Sequence, residues 1–198
     1  MEKNEELSVL YGLTILVKFM LYQNTILSLE SYLMKYNEKE IEDLLQISKA
    51  NEAIIKRENA SGHITASGFV LYEEKILLIF HKKLQKYIQP GGHLENDATV
   101  LHAAQREVLE ETGVRTTPFK NIITPIHIDI HTIPYHEKKN EIEHKHYDFM
   151  FLLTTSSQKV RLQEDEVDSY KWVSLDYPFN DMGIMRAVEK IKMLCRSL

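Results

Sequence analysis

The feature that most constrains the fold is a predicted helix with a glycine break on either side. Pro90-Gly91-Gly92 interrupts the chain, and the residues from about Asp97 to Thr112 are predicted to form a helix. Gly113 follows directly, and glycine readily adopts the left-handed conformation that ends a helix. The sequence therefore predicts one well-bounded helix in the middle of the chain.

Three glutamates share one face of this helix. Glu107, Glu110 and Glu111 stand at i, i+3 and i+4, and each like-charged pair at this spacing costs a few tenths of a kcal/mol. Glu110 and Glu111 also lie in the last turn, where the helix dipole disfavours anions by roughly 0.3–1 kcal/mol each. A magnesium or manganese ion would offset this repulsion, because hard cations take carboxylate ligands. A solvated acidic face is the alternative, and the glycine turn before the helix favours the metal.

Strand patterns surround the helix on both sides. Apolar and β-branched runs predict strands over residues 63–67, 69–72, 75–80, 122–131, 144–154 and 170–173, followed by a terminal helix over 181–196. Strands with one inserted helix and a second helix after them indicate an α+β fold, with a mixed sheet packed between helices.

The first part of the chain has a different composition. Up to Arg57 it contains no proline and one glycine, which favours two or three helices, with Asn24 or Asn37 as a candidate N-cap. The composition changes at residues 58–62, so we predict an N-terminal helical segment over 1–60 and a second domain over 61–198. A helical cap or an oligomerisation element is the preferred interpretation of the first segment, and a homodimer contact stays open.

Charge and cysteine content narrow the class of protein. The net charge of −5 argues against a general nucleic-acid binder. The single cysteine, Cys195, excludes an intramolecular disulfide and a four-thiolate zinc site, so a reducing cytoplasm is the simplest compartment. The apolar run from Leu7 to Tyr22 follows acidic residues, is interrupted by Lys18 and is short for a membrane span. We therefore predict a packed helix there and no membrane association.

The glycine turn and the acidic helix together resemble a known motif. Gly92 to Val114 is similar to the Nudix box, Gly-x5-Glu-x7-Arg-Glu-U-x-Glu-Glu-x-Gly-U, in which U is a bulky aliphatic residue. Eight of the nine defined positions match in register, namely Gly92, Arg106, Glu107, Val108, Glu110, Glu111, Gly113 and Val114. The chain is thus identified as a member of the Nudix (MutT-like) hydrolase superfamily. The resemblance implies an α/β/α sandwich that extends from about His63 to the C-terminus.

One position departs from the motif. Ala98 occupies the place of the first glutamate, which in the family supports the box arginine. Arg106 therefore needs another partner, and Asp97 and Glu95 are the nearby candidates. Asp97 is also a candidate N-cap of the helix.

The resemblance implies roles for the acidic residues. Glu107 and Glu111 would be principal ligands of Mg²⁺ or Mn²⁺, Glu110 a ligand or a carboxylate that positions water, and the carbonyl of Gly91 a further ligand. Family members often add an acidic residue from a later loop. Glu166, and after it Glu164, precede Trp172 and are the candidates here. The predicted catalytic residues are Glu110, Glu111 and Glu166.

Two later strands carry an unusual number of histidines and aspartates. His127, Asp129 and His131 share one face of the first strand, and His144, His146 and Asp148 share one face of the second, because side chains alternate along a strand. A hairpin through the charged loop 137–141 would bring both faces together. The residues could ligate a transition metal, contact substrate phosphates, or form a polar network. The last two interpretations are preferred, and His93 after the glycine turn is a further candidate phosphate contact.

These residues predict a metal-dependent hydrolase that cleaves a pyrophosphate bond in a small nucleotide-like substrate, a nucleoside diphosphate linked to a further group. A metal-activated water would attack phosphorus, and Glu110 or Glu166 would accept or orient its proton. The alternative is a Nudix-fold module that senses a nucleotide without hydrolysing it. Ala98 favours the sensor, whereas the intact glutamates favour the enzyme.

Overall fold

The computed structural model describes residues 2–135, 142–163 and 165–196. The predicted charged loop 137–141 and the candidate Glu164 lie outside the described residues. The helices are α1 (Glu2–Lys35), α2 (Lys39–Ala50), α3 (Val100–Thr112) and α4 (Met182–Arg196), with short 3-10 turns at Glu52–Ile55 and Phe119–Asn121. The strands are β1 (Gly62–Tyr72), β2 (Lys75–His81), β3 (Lys86–Ile88), β4 (Gly91–His93), β5 (Thr117–Pro118), β6 (His127–Ile133), β7 (His144–Thr154) and β8 (Val167–Ser174).

The sheet is mixed, as the sequence predicts. Strand β1 pairs in parallel with β7 along most of its length, and antiparallel with β2 and β4. Strand β7 also pairs antiparallel with β6, which confirms the predicted hairpin of histidine strands. Strand β2 pairs antiparallel with β3 and β8. The arrangement is an α+β fold.

Helices cover both faces of this sheet. On one face α3 packs through Val108 against β1 and β7 residues such as Ala66 and Phe149, and buried residues of α1 and α2 belong to the same hydrophobic cluster. On the other face Ile184 and Ile191 of α4 join the second hydrophobic cluster. Because side chains alternate along β1 and β7, these strands contribute residues to two hydrophobic cores, one on each face of the sheet.

Two sequence predictions about element ends are corrected by the structure. The strand expected from residue 122 begins at His127, because Lys120 and Asn121 adopt positive φ values of 51° and 60° and Pro125 cannot donate a ladder hydrogen bond. Asn24 and Asn37 start no helix. Helix α1 continues through Asn24 to Lys35, and α2 begins after Glu38.

Helix α1 has two distinct parts. From Leu21 onwards it contributes fully buried residues to the core, such as Leu29 and Tyr32. Between Gly12 and Met20 it exposes large apolar side chains, and Ile15 and Phe19 each expose more than half of their surface. By length and composition the span Gly12–Lys35 is apolar enough to cross a membrane, with 28% of its most apolar window buried, and a core helix of a soluble protein passes the same test.

Candidate active site

Helix α3 holds its position through caps at both ends. The side chain of Thr99 accepts a hydrogen bond from the backbone N–H of His102, so Thr99 is the N-cap and the prediction that Asp97 caps the helix is wrong. Asn24 of α1 accepts a further bond from the backbone N–H of Val100 at 2.9 Å. Gly113 ends the helix at φ +67°, as predicted.

Two of the three box glutamates are withdrawn from solvent. Glu111 is only 3% exposed, and its Oε2 accepts a hydrogen bond of 2.9 Å from the backbone N–H of Gly91. The side chain of Glu107 lies against Gly92, where a Cβ atom would stand 2.6 Å from the carboxylate. Strand β4 can approach the helix this closely because residues 91 and 92 carry no side chain. Glu110 is half exposed.

Burial makes ionisation of these carboxylates unfavourable. It raises the pKa of Glu111 to about 8, against the opposing effect of the Gly91 hydrogen bond, and neighbouring glutamates raise it further. Burial also raises the pKa of Glu107 to about 7, although the adjacent Arg106 acts in the opposite direction. In the described part of the chain no lysine or arginine forms an ion pair with Glu111. A bound cation would stabilise both carboxylates in their charged form.

Arg106 finds the partner that Ala98 cannot supply. Its guanidinium binds Asp97 in a bidentate manner, with Nε–Oδ1 and Nη2–Oδ2 distances of 3.1 Å. Nη1 donates to Glu107 and Glu110 at 2.9 Å, and Nη2 donates to the His93 carbonyl at 2.8 Å. Asp97, one position before Ala98, therefore holds the arginine, and the His93 carbonyl ties the arginine to the strand that follows the glycine turn.

A cavity of about 1440 Å³ opens beside the box glutamates. Residues from the glycine turn, from α3 and from the histidine strands line it, among them Gly91, Glu107, Glu110, Glu111, His93, Asp129, His131, His146, Asp148 and Glu166. Ten predicted site residues therefore meet at one cavity. The pocket is large enough for a nucleotide-sized ligand.

The buried polar floor of this cavity centres on Asp148. Its carboxylate accepts hydrogen bonds from Ser67 Oγ at 2.7 Å, Thr65 Oγ1 at 3.2 Å and Gln89 Nε2 at 3.3 Å. Burial raises the pKa of Asp148, and the hydroxyl of Ser67 opposes that shift. Asp129 lies opposite Asp148 in the β6–β7 register and accepts from His131 Nδ1 at 2.8 Å.

Two predicted substrate contacts, His127 and His144, lie outside the cavity lining. His127 is buried in a network in which its Nδ1 is 3.3 Å from both Tyr32 Oη and Lys190 Nζ, and Lys190 also binds Glu38 at 2.8 Å. Burial, followed by the charge of Lys190, lowers the pKa of His127 to about 4. His144 is buried at the start of β7 beside His146. Burial and the neighbouring histidines lower the pKa of His146 far below its usual value, so this imidazole is neutral.

The later acidic residue reaches the same cavity. Glu166 lines it from the turn before β8 and pairs with Lys83 at 3.5 Å, with about half of its side chain exposed. Its charge is also one of the causes that raise the pKa of Glu111. Glu166 therefore lies on the same side of the cavity as Glu111.

A group of cations in the cavity wall was not predicted from the sequence. Lys18 of α1, Lys56 and Arg57 after the 3-10 turn, and Arg186 of α4 all line the cavity. Among the described residues none of them forms an ion pair with an acidic side chain. They come from three separate parts of the chain, so no local spacing could have marked them. Their charge suits a substrate that carries phosphates.

The fold and this site together define a hydrolase of the pyrophosphohydrolase type, and comparison with known proteins gives the family. The NUDIX domain model matches residues 62–188, which is more than half of the chain. The chain belongs to the Nudix family, and it is a Nudix-type pyrophosphohydrolase.

Individual relatives agree with this assignment. The chain is 32% identical over 127 residues to a probable DHNTP pyrophosphohydrolase of Lactococcus lactis subsp. cremoris. The aligned region covers 64% of this chain and 75% of that protein. The chain is 41% identical over 58 residues to the phosphatase NudJ of Escherichia coli K12, covering 28% of this chain and only 38% of NudJ.

Solved structures show the same fold. A NUDIX-family hydrolase from Clostridium perfringens superposes with a TM-score of 0.52 at 27% identity, covering 67% of this chain and 97% of that one. The MutT protein from Methanosarcina mazei superposes with a TM-score of 0.50 at 20% identity, covering 70% and 96% of the two chains. The predicted Nudix sandwich is thereby confirmed.

Proposed function

We propose that this pyrophosphohydrolase requires Mg²⁺ or Mn²⁺ and cleaves the pyrophosphate bond of a nucleoside diphosphate-linked substrate. The observation that carries the proposal is the buried Glu111 and the largely buried Glu107 side chain on the wall of a cavity that also presents cations without an ion pair to any described residue. An all-oxygen donor set of this kind fits a hard divalent cation. The close approach of Gly92 to Glu107 leaves room for carboxylate and backbone oxygens in one place.

The residues that would hold the metal are Glu107, Glu111, Glu110 and the carbonyl of Gly91. The metal would supply Lewis-acid activation of water and charge neutralisation at the phosphoryl oxygens. Arg106 fixes the positions of Glu107 and Glu110 through hydrogen bonds of 2.9 Å.

Substrate recognition would involve the polar floor and the cationic wall. Asp129, His131, His146 and Asp148 present donors and acceptors along one side, together with His93. Lys56, Arg57 and Arg186 would bind the phosphates that the metal leaves uncompensated. Glu110 or Glu166 would accept the proton of the attacking water, because each carboxylate is about half exposed to solvent.

The substrate is tested with a panel of compounds. The purified chain is incubated with dinucleoside polyphosphates, nucleotide sugars, ADP-ribose-like compounds, nucleoside triphosphates and DHNTP, each with Mg²⁺ and with Mn²⁺. We expect a nucleoside monophosphate or an equivalent phosphorylated product from one class, and turnover that stops on removal of the metal. Glu111→Gln should abolish turnover, whereas Glu189→Gln, on the exposed side of α4, should not.

The sensor alternative rests on Ala98. The bidentate Arg106–Asp97 contact supplies the support that the missing glutamate would give, which favours the enzyme. Saturable nucleotide binding without turnover on any member of the panel, with either metal, would favour the sensor.

We further propose that residues 1–60 act as a helical segment that completes the site of the 61–198 domain, and that the exposed apolar part of α1 forms a homodimer contact in the cytoplasm. Two observations support this proposal: Lys18 and Leu21 line the cavity, and Phe19 exposes 55% of its surface. Light scattering should give a dimer mass for the full chain and a monomer mass for Phe19→Glu. A monomer for both would contradict the dimer.

A further inference from the structure

A second group of metal-binding side chains lies beside the active site. It consists of His63 on β1 and of His144 and His146 on β7, and one nitrogen from each ring lies within 4.8 Å of the other two. The parallel register of β1 and β7 places His63 directly beside His146. His144 lies two residues before His146 on β7, so its side chain is on the same face. The sheet itself therefore assembles the cluster.

The three rings are closely spaced and largely withdrawn from solvent. The ring centroid of His63 lies 5.0 Å from that of His144 and 4.7 Å from that of His146. His63 is 1% exposed and His144 is 7% exposed. His93 and His131 flank the group, with ring centroids 5.3 Å and 5.5 Å from that of His146. Only His146 of the three also lines the cavity.

The hydrogen bonds of His144 fix which nitrogen is available. Its Nδ1 is 2.8 Å from the carbonyl of Ile142, and a carbonyl can only accept, so Nδ1 carries the proton. The lone pair of the neutral ring is then on Nε2, which lies 3.2 Å from Nε2 of His146. A backbone carbonyl that orients a histidine in this way is the usual outer partner of a metal-bound imidazole.

The donor chemistry separates this cluster from the carboxylate site. All three donors are imidazole nitrogens, whereas the box site offers oxygens. Imidazole nitrogen favours zinc, copper, nickel and cobalt over magnesium. Three histidines with one position left open are also the ligand set of catalytic zinc sites.

We propose that His63, His144 and His146 bind one first-row transition-metal ion, of which zinc is the best match, at the rim of the substrate cavity. The site is distinct from the Mg²⁺ or Mn²⁺ site on α3 and does not depend on the proposed hydrolysis. The ion would link the starts of β1 and β7, and because His146 lines the cavity wall, the ion would lie next to that wall.

The test uses the metal alone, without nucleotide. Full-length Glu107→Gln/Glu111→Gln protein, in which the carboxylate site is disabled, is treated with chelator and then titrated with Co²⁺ and with Zn²⁺ in excess Mg²⁺. We expect one equivalent of Co²⁺ to produce the visible absorption bands of a four-coordinate nitrogen site, and Zn²⁺ to displace it. Zn²⁺ should also raise the melting temperature, because a ligand that binds only the folded state stabilises it.

Variants assign the ligands. His146→Ala should weaken Co²⁺ affinity by at least about tenfold, since loss of even an outer partner has that effect. His102→Ala, on the exposed surface of α3, is the matched control and should leave affinity unchanged. If His146→Ala misfolds, histidine NMR of the Glu107→Gln/Glu111→Gln protein decides instead, because bound Zn²⁺ should shift the ring signals of His63, His144 and His146 much more than that of His102.

Two results would overturn the proposal. One is the absence of saturable Co²⁺ uptake in the carboxylate-disabled protein, which would show that the cluster is only a hydrogen-bonded network. The other is binding that His146→Ala and His102→Ala weaken equally. Neither result would bear on the Mg²⁺-dependent hydrolysis, which is measured separately with nucleotide substrates.

Discussion

Replacing Glu111 by glutamine tests the physical basis of the active site most directly. Glutamine has nearly the same shape, and its side-chain carbonyl can still accept the hydrogen bond that the backbone N–H of Gly91 donates to Glu111 at 2.9 Å. The substitution therefore removes the titrating group while it keeps the local contact. Its effect on stability in metal-free protein reports the cost of burying the carboxylate.

The sign and size of the effect follow from the pKa of Glu111. Burial raises it from 4.5 to about 8, so the folded protein keeps a proton that the unfolded chain has already released. Stability is therefore lost as the pH rises from the unfolded towards the folded pKa. At about 1.36 kcal/mol per pKa unit, Glu111 alone should lower the free energy of unfolding by about 3 kcal/mol between pH 5 and pH 8.

The assay is urea denaturation in chelator, followed by circular dichroism at both pH values. Glu111→Gln should lose the part of the decrease that Glu111 causes, whereas the contributions of the other shifted groups, Glu107, Asp148 and His127, should stay as in the wild type. At about 2–4 °C per kcal/mol for a chain of this size, the variant should melt about 6–12 °C above the wild type at pH 8. Glu110→Gln, whose carboxylate is half exposed, is the matched control and should keep the wild-type slope.

Magnesium should reverse the order at pH 8. It should stabilise the wild type, because binding to the folded state adds to its free energy of unfolding, and it should leave Glu111→Gln nearly unaffected. If Glu111→Gln and the wild type show the same decrease between pH 5 and pH 8, the carboxylate is not the buried, raised-pKa group described above, and the reasoning is refuted.

Three further predictions concern the same wall of the cavity. Magnesium affinity, measured by calorimetry, should increase between pH 6 and pH 8, since Glu107 and Glu111 must ionise to bind. For each proton that binding releases, the increase should reach about tenfold per pH unit. An affinity that does not change with pH would count against both residues as ligands. Asp97→Asn should reduce kcat/KM by about 10–100-fold through loss of the bidentate contact with Arg106, with unchanged circular dichroism; full activity would show that Arg106 needs no carboxylate. Gly92→Ala should reduce kcat by about 100-fold, because the new Cβ would stand 2.6 Å from the Glu107 carboxylate; wild-type kinetics would mean that Glu107 can move at no cost.

The parts of the fold that depend on local patterns could be predicted from the sequence. Gly113 ends α3 because glycine tolerates a positive φ, and the alternation along β7 places Phe149 in the core and Asp148 on the opposite face. The box glutamates were recognisable from their spacing together with the glycine turn before the helix. Even the partner of Arg106 was among the candidates, since Asp97 is the adjacent carboxylate.

The rest depended on contacts between distant segments. Asn24 looked like a helix start but lies inside α1, where its side chain binds the first turn of α3 instead. Nothing in the local sequence of His127 distinguishes it from His131, yet Tyr32 and Lys190 hold it away from the cavity. The cations of the wall were equally invisible, because their proximity comes from tertiary packing of α1 and α4.

The position of α1 has a consequence for how activity varies among relatives. Lys18 and Leu21 shape the cavity, and Asn24 holds the start of the helix that carries the glutamates, yet all three lie before the region matched by the family model. The matched domain carries the box glutamates, while a segment outside the match lines part of the same cavity. Two proteins with identical boxes can therefore differ in the molecule they accept, and substitutions in α1 are the place to look for that difference.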